Sequence, residues 1–84
     1  MKSRTLFCVR LPATGRCYDF WVPDHLCMRE ASQLICQAME SLEPDFFRFT
    51  GQQTLMYERT GQIQQPEATV AQIGFVNGDR FVII

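Results

Sequence analysis

Histidine occurs once in this 84-residue chain, at His25, and no two cysteines are close enough to make a C-x-x-C pair. Cys8, Cys17, Cys27 and Cys36 follow one another at intervals of nine or ten residues. A structural zinc site draws on paired, closely spaced ligands, so no metal is expected, and no motif calls for a cofactor. No stretch reaches the roughly 18–20 consecutive apolar residues of a membrane span. The start, MKSRTLFCVRLP, has positive charges but neither a long apolar run nor a small-residue cleavage site, so a secretory signal is not expected. With nothing to mark secretion, the cysteines read as reduced thiols of a cytoplasmic protein rather than a disulfide framework. Eight basic and nine acidic residues leave a formal net charge of −1, with no basic cluster. A nucleic-acid partner would need that electrostatic footprint, so none is expected.

What is present is a globular composition, 46% hydrophobic and 20% charged with seven phenylalanines, in a length that holds one core. TLFCVRL, residues 5–11, alternates in the β sense, with Thr5, Phe7, Val9 and Leu11 inward and Leu6, Cys8 and Arg10 outward. PATGR supplies turn chemistry, and Gly15 can take positive φ. CYDFWV alternates again, Tyr18, Phe20 and Val22 inward and Cys17, Asp19 and Trp21 outward, which predicts a hairpin over about 5–22. Ala31, Leu34, Ile35, Ala38 and Leu42 form an apolar stripe with helical spacing, and Cys27 sits ahead on the same stripe. The predicted helix runs from about 27 to 42, and Pro44 closes it by disfavouring helical geometry at Glu43. Strands are predicted at about 54–58, 62–64 and 80–84, with Val70 and Ile73 marking one helical turn on the core. The VNGD turn delivers the last strand, Phe81 and Ile83 inward and Arg80, Val82 and Ile84 outward. The order β-β-α-β-β-β predicts an α+β fold in which one helix packs on a mixed four- to five-stranded sheet. First and last strands must then be neighbours, which is the β-grasp arrangement.

Several stretches carry a resemblance. TGRCYDFWVP resembles the second strand of ubiquitin, QQTLMY its third, and TVAQIGFVNGDRFVI its closing segment, so the matches touch most of residues 5–84. GFVNGDRFVII, with YDFWV and the helix that follows, is more similar still to the small bacterial ubiquitin-like proteins of the YukD/EsaB type. These belong to type VII secretion systems, which export WXG-type small helical proteins. The resemblance implies a non-enzymatic, non-conjugated interaction protein, cytoplasmic or peripheral to a membrane secretion complex, without direct membrane insertion. Its implied partners are a secretion membrane component, an ATPase, or a second copy of itself in a homodimer. Ubiquitin-type modifiers and sulfur carriers work through a Gly-Gly tail, whereas this sequence ends on Ile84 and has one lysine, Lys2. Conjugation is therefore not expected. Two alternatives stay open: a degenerate modifier or sulfur-carrier relative that binds an E1-like enzyme, and a stand-alone copy of a domain fused to a membrane secretion protein.

The sheet face turned away from the helix is the candidate site. A solvated antiparallel face is normally polar, yet Leu6, Cys8, Trp21, Met56, Val82 and Ile84 all point there, with Arg80 among them. By the resemblance this is the face through which ubiquitin is recognised, and Met56, Val82 and Ile84 match its aliphatic patch by position. These seven residues are the expected partner interface. A one-residue slip in register would turn the whole set inward. Phe46, Phe47 and Phe49 read as the closing end of a small core, with a second docking site as the other reading. His25 beside Asp24 lacks a nucleophile, and Cys8 with Cys17 stands diagonal across the hairpin, where a bridge would be strained. No catalytic residue is assigned.

Overall fold

In the computed structural model, which describes residues 3–84, β1 (Arg4–Leu11) and β2 (Arg16–Pro23) form an antiparallel hairpin. Lys2, the one lysine, lies outside the described residues. Gly15 closes the hairpin loop at φ +71°, its N–H donating to the Leu11 carbonyl at 2.8 Å. That left-handed conformation is open to glycine without steric cost. The chain continues through α1 (Met28–Leu42), β3 (Leu55–Tyr57), β4 (Gln62–Ile63), α2 (Val70–Ile73) and β5 (Asp79–Ile83). The five strands lie in the order β2-β1-β5-β3-β4, and β1 pairs β5 in parallel while the other pairings are antiparallel. First and last strands are thus side by side at the centre, with the long helix on one face.

The core is aromatic in the middle. Phe81 of β5 stacks on Phe7 of β1 at 4.2 Å between ring centroids, and Phe75 meets both edge-on at 5.0 and 5.5 Å. Val9, Leu55, Ile35 and Met39 complete a buried cluster between sheet and helix.

The helix is turned from the facing its spacing predicts. Met28, Ala31, Ser32, Ile35, Cys36 and Met39 point inward, while Leu34 remains 53% exposed and Leu42 is half-exposed. Two apolar stripes overlap at Ala31 and Ile35, and the one that wins also buries two methionines, unbranched side chains suited to irregular gaps. Leu34, Ala38 and Leu42 are left along one flank.

Both ends of α1 are held. At its start the Glu30 carboxylate accepts the Cys27 N–H at 3.2 Å, and bonding to Cys27 draws the Glu30 pKa down. Residues 66–71 are laced to the same end: Met28 N–H donates to the Ala68 carbonyl, Val70 N–H to Leu26 and Ala71 N–H to Asp24, at 2.9, 2.9 and 3.0 Å. Within that segment Thr69 and Gln72 cap α2 reciprocally, and Gly74 at φ +82° stops it. At the far end of α1, Glu43 has left helical geometry ahead of Pro44. Its buried carboxylate accepts the Tyr18 hydroxyl and an Arg16 N–H at 3.2 Å, which fixes the helix end to the start of β2.

The phenylalanine-rich connection divides. Phe47 and Phe49 pack against the core, but Phe46 is 60% exposed, contrary to its expected place there. The turn after Pro44, in which the Phe46 and Phe47 N–H groups both donate to the Glu43 carbonyl, directs Phe46 outward. Among the described residues no helix is long and apolar enough to cross a membrane.

Candidate functional site

Strand register decides which side chains share the face away from α1. Across the hairpin Leu6, Cys8 and Arg10 oppose Trp21, Asp19 and Cys17. Cys8 and Arg10 stand beside Arg80 and Val82 of β5, Val82 opposes Met56, and Met56 opposes Ile63. The result is a row running Cys17, Arg10, Val82, Met56, Ile63 across all five strands. Ile84 extends β5 by exchanging backbone hydrogen bonds of 3.1 and 3.0 Å with Thr54.

All seven expected interface positions lie on this face, but they do not form one patch. The row Asp19, Cys8, Arg80 separates the corner of Leu6 and Trp21 from the group of Val82, Met56 and Ile84. Trp21 and Ile84 are half-exposed, Arg80 is exposed, and Leu6, Cys8 and Met56 are partly covered. Val82 corrects the expectation most. It points outward by register yet is only 6% exposed, a short β-branched side chain flanked by the longer Arg10 and Met56. The exposed apolar area beside Met56 comes instead from Ile63, 54% exposed, which no sequence reading assigned to the face. Its signal was available: the short turn after Met56 sets Ile63 opposite it if the two-stranded register is followed through.

The two corners differ electrostatically. Arg4 lies with its guanidinium carbon 4.6 Å from the Trp21 ring centroid, a cation–π contact that covers part of the indole. At the same corner Asn77 accepts the Leu6 N–H at 3.0 Å, and the Gly78 N–H donates to the Leu6 carbonyl at 2.9 Å. The NGD turn is thereby seated on β1, and Asp79 steadies it by accepting the Val76 N–H at 3.0 Å.

Other reactive groups are committed elsewhere. The Asp24 carboxylate is buried and accepts the Thr5 hydroxyl at 2.6 Å, so it is not poised as a partner for the exposed His25. Cys8 and Cys17 stand diagonally across the hairpin, opposite Asp19 and Arg10 respectively, and all four thiols are free. Burial, then the neighbouring Cys17, raises the Cys8 pKa. Among the described residues, no three His, Cys, Asp or Glu side chains converge as a metal site.

Cys36, fully enclosed between helix and sheet, is pushed up to about 11 by burial, from an ordinary 9.0. Above pH 9 the unfolded thiol therefore loses a proton that the folded one keeps. Its stabilisation is intact below that pH and disappears as pH rises toward 11. Wild type should lose roughly 2–3 kcal/mol relative to Cys36→Ala over this interval. Urea unfolding of both proteins at stepped pH reads the difference. Tyr18, whose hydroxyl is also held protonated by its bond to Glu43, titrates in both and cancels. Parallel alkaline limbs would rule out the Cys36 contribution.

No protein-family model matches the chain, and no curated protein matches it. Solved structures do. The ubiquitin-like domain of the Mycobacterium tuberculosis type VII secretion system protein EccD1 superposes with a TM-score of 0.76 at 14% identity, covering 99% of each chain. The EccD5 ubiquitin-like domain of Mycobacterium xenopi gives 0.77 at 9%, over 99% of this chain and 94% of that one. Caldiarchaeum subterraneum ubiquitin gives 0.69 at 22%, over 96% and 91%. At such identities the likeness is one of fold, and it agrees with the strand order and register described above. The chain has the ubiquitin-like β-grasp fold.

Proposed function

We propose that this chain is a protein-docking module of a type VII secretion system, acting through the sheet face that carries Met56, Ile63 and Ile84. The observation that carries this reading is the apolar group on an otherwise solvated face: Ile63 and Ile84 half-exposed around Met56, with the buried Val82 as its floor. Such a group, rimmed by Arg10 and Arg80, has the make-up of an interface centre with a polar rim. The likeness to the EccD1 and EccD5 domains supports the secretion context. A cytoplasmic place beside the membrane machinery follows from that reading, with a membrane component or an ATPase as the partner. The same likeness favours a second reading, in which the chain is the counterpart of the domain EccD1 carries.

The test is a pull-down from detergent-solubilised membranes of the native host. The wild-type chain is compared with a Met56→Asp/Ile63→Asp variant whose fold is checked by circular dichroism. Secretion-system components held by the wild type and lost by the variant are the expected result. Equal capture by both would remove this face from consideration.

A further inference from the structure

Cys8 and Cys17 are the two cysteines that the fold leaves within reach of solvent, Cys17 exposed and Cys8 partly covered. Cys27 and Cys36 are buried, at the start of α1 and between helix and sheet. Strand pairing, not a short motif, brings the accessible pair together. The register sets Cys8 opposite Asp19 and Arg10 opposite Cys17, all on the face away from α1. Because the Asp24 N–H donates to the Ser3 carbonyl at 2.9 Å, the odd-numbered residues of β1 are the ones that exchange ladder bonds with β2. Cys8 and Arg10 therefore belong to non-hydrogen-bonded pairs, in which facing side chains come closest. The right-handed twist of a hairpin shortens one diagonal between two such pairs. Here that diagonal joins Cys8 to Cys17, and the two thiols are near enough to share a hydrogen bond and to feel each other's charge.

Such a diagonal is too long for a direct bond between the sulfurs. Its Cα atoms stand about 7–8 Å apart, beyond the roughly 4.4–6.8 Å that a disulfide spans. An ion between the thiolates relaxes that limit. Each thiolate–metal bond adds about 2.3 Å, so the sulfurs can stay about 4–5 Å apart instead of about 2 Å. Soft thiolate ligands select Cu(I), zinc and iron–sulfur clusters. Structural zinc and the clusters take four ligands, and the two buried thiols cannot join this pair. Cu(I) is satisfied by two thiolates in a line. The Asp19 carboxylate opposite Cys8 is a hard donor and does not compete for it.

We infer that Cys8 and Cys17 hold one Cu(I) ion as a two-coordinate dithiolate bridging β1 and β2. The ion displaces both thiol protons: Cu(I) and two thiols give a bis-thiolate complex with a single negative charge, and two protons pass to solvent. Arg10, directly opposite Cys17 and on the same face as Cys8, offsets that charge. The ion also ends the repulsion that two neighbouring thiolates would otherwise feel. The site lies in the hairpin, between the Leu6 and Trp21 corner and the Met56 group, and ties the outer strand β2 to β1 without occupying either. This assignment is independent of the Met56 face.

The test uses the full chain, reduced and kept free of oxygen, with Cu(I) presented as its bicinchoninate complex. Wild type should withdraw one equivalent of Cu(I) per chain. Cys8→Ser and Cys17→Ser, each with its fold checked by circular dichroism, should bind more than about a hundredfold more weakly. Losing a ligand itself exceeds the roughly 10–100-fold cost of losing a residue behind one. In carbon NMR spectra the Cβ resonances of Cys8 and Cys17 should move on loading, while those of Cys27 and Cys36 stay. Met56→Asp/Ile63→Asp should bind Cu(I) as wild type does, which separates this site from the docking face. A wild type that takes no Cu(I) from bicinchoninate overturns the inference, as does either serine variant binding like wild type. One ion shared by two chains in a Cu(I)-dependent dimer overturns it too, since the pair would not then close within one hairpin.

Discussion

Phe81→Ala is expected to lower the free energy of unfolding by about 3–5 kcal/mol, the range for an aromatic ring deleted from a packed interior. Phe81 is fully buried at the centre of β5, between the parallel partner β1 and the antiparallel partner β3. Its ring touches three others: Phe7 at 4.2 Å, Phe75 at 5.0 Å and Tyr57 at 5.5 Å. Removing it empties the middle of the core, and neighbours on three separate elements cannot all close on the gap. Domains hold only about 5–15 kcal/mol in total, so most of the margin would go. Phe46→Ala is the control, since that ring is 60% exposed and its loss should stay within about 0.5 kcal/mol. Urea unfolding followed by far-ultraviolet circular dichroism reads both. Equal costs for the two substitutions would contradict the placement of Phe81.

Much of this arrangement is legible from period alone. Alternation in TLFCVRL and CYDFWV puts Phe7, Val9 and Val22 inward, and the structure buries all three. The sharp punctuation of Pro44 and of the NGD turn bounds α1 and β5 near their expected limits. The helix facing was not legible, because two apolar stripes share Ala31 and Ile35 and only tertiary packing chooses between them. The same choice left Leu34 and Leu42 exposed, so the stripe visible in the sequence is divided between core and surface. Ile63 was missed for a different reason. A two-residue strand has too little alternation to reveal its own face, which is set by pairing with Met56. The stacking of Phe7 on Phe81, the Tyr18–Glu43 link and the Thr5–Asp24 bond join residues 19 or more apart in sequence, and no local pattern encodes them.

Val82→Asp is expected to cost about 3 kcal/mol or more, although Val82 points to the solvent side of the sheet. Side-chain direction and exposure are separate quantities on a twisted five-stranded sheet. At 6% exposure, Val82 sits in the central strand with Arg10 and Met56 on either side in its row. A carboxylate there gives up most of its hydration, and the Arg10 head group, itself exposed, has water as a competing partner. Ile63→Asp, on the short edge strand at 54% exposure, should change stability by no more than about 0.5 kcal/mol. The measurement is urea unfolding with linear extrapolation for both variants, beside an amide NMR fingerprint to establish which retains the native fold. The contrast bears directly on function. Loss of partner capture by Val82→Asp would report a damaged sheet, whereas loss by Met56→Asp/Ile63→Asp reports the surface itself. If Val82→Asp proves as benign as Ile63→Asp, the side chains over Val82 move aside in solution. The apolar group on this face would then be larger, and Val82 would join Met56 and Ile63 at its centre.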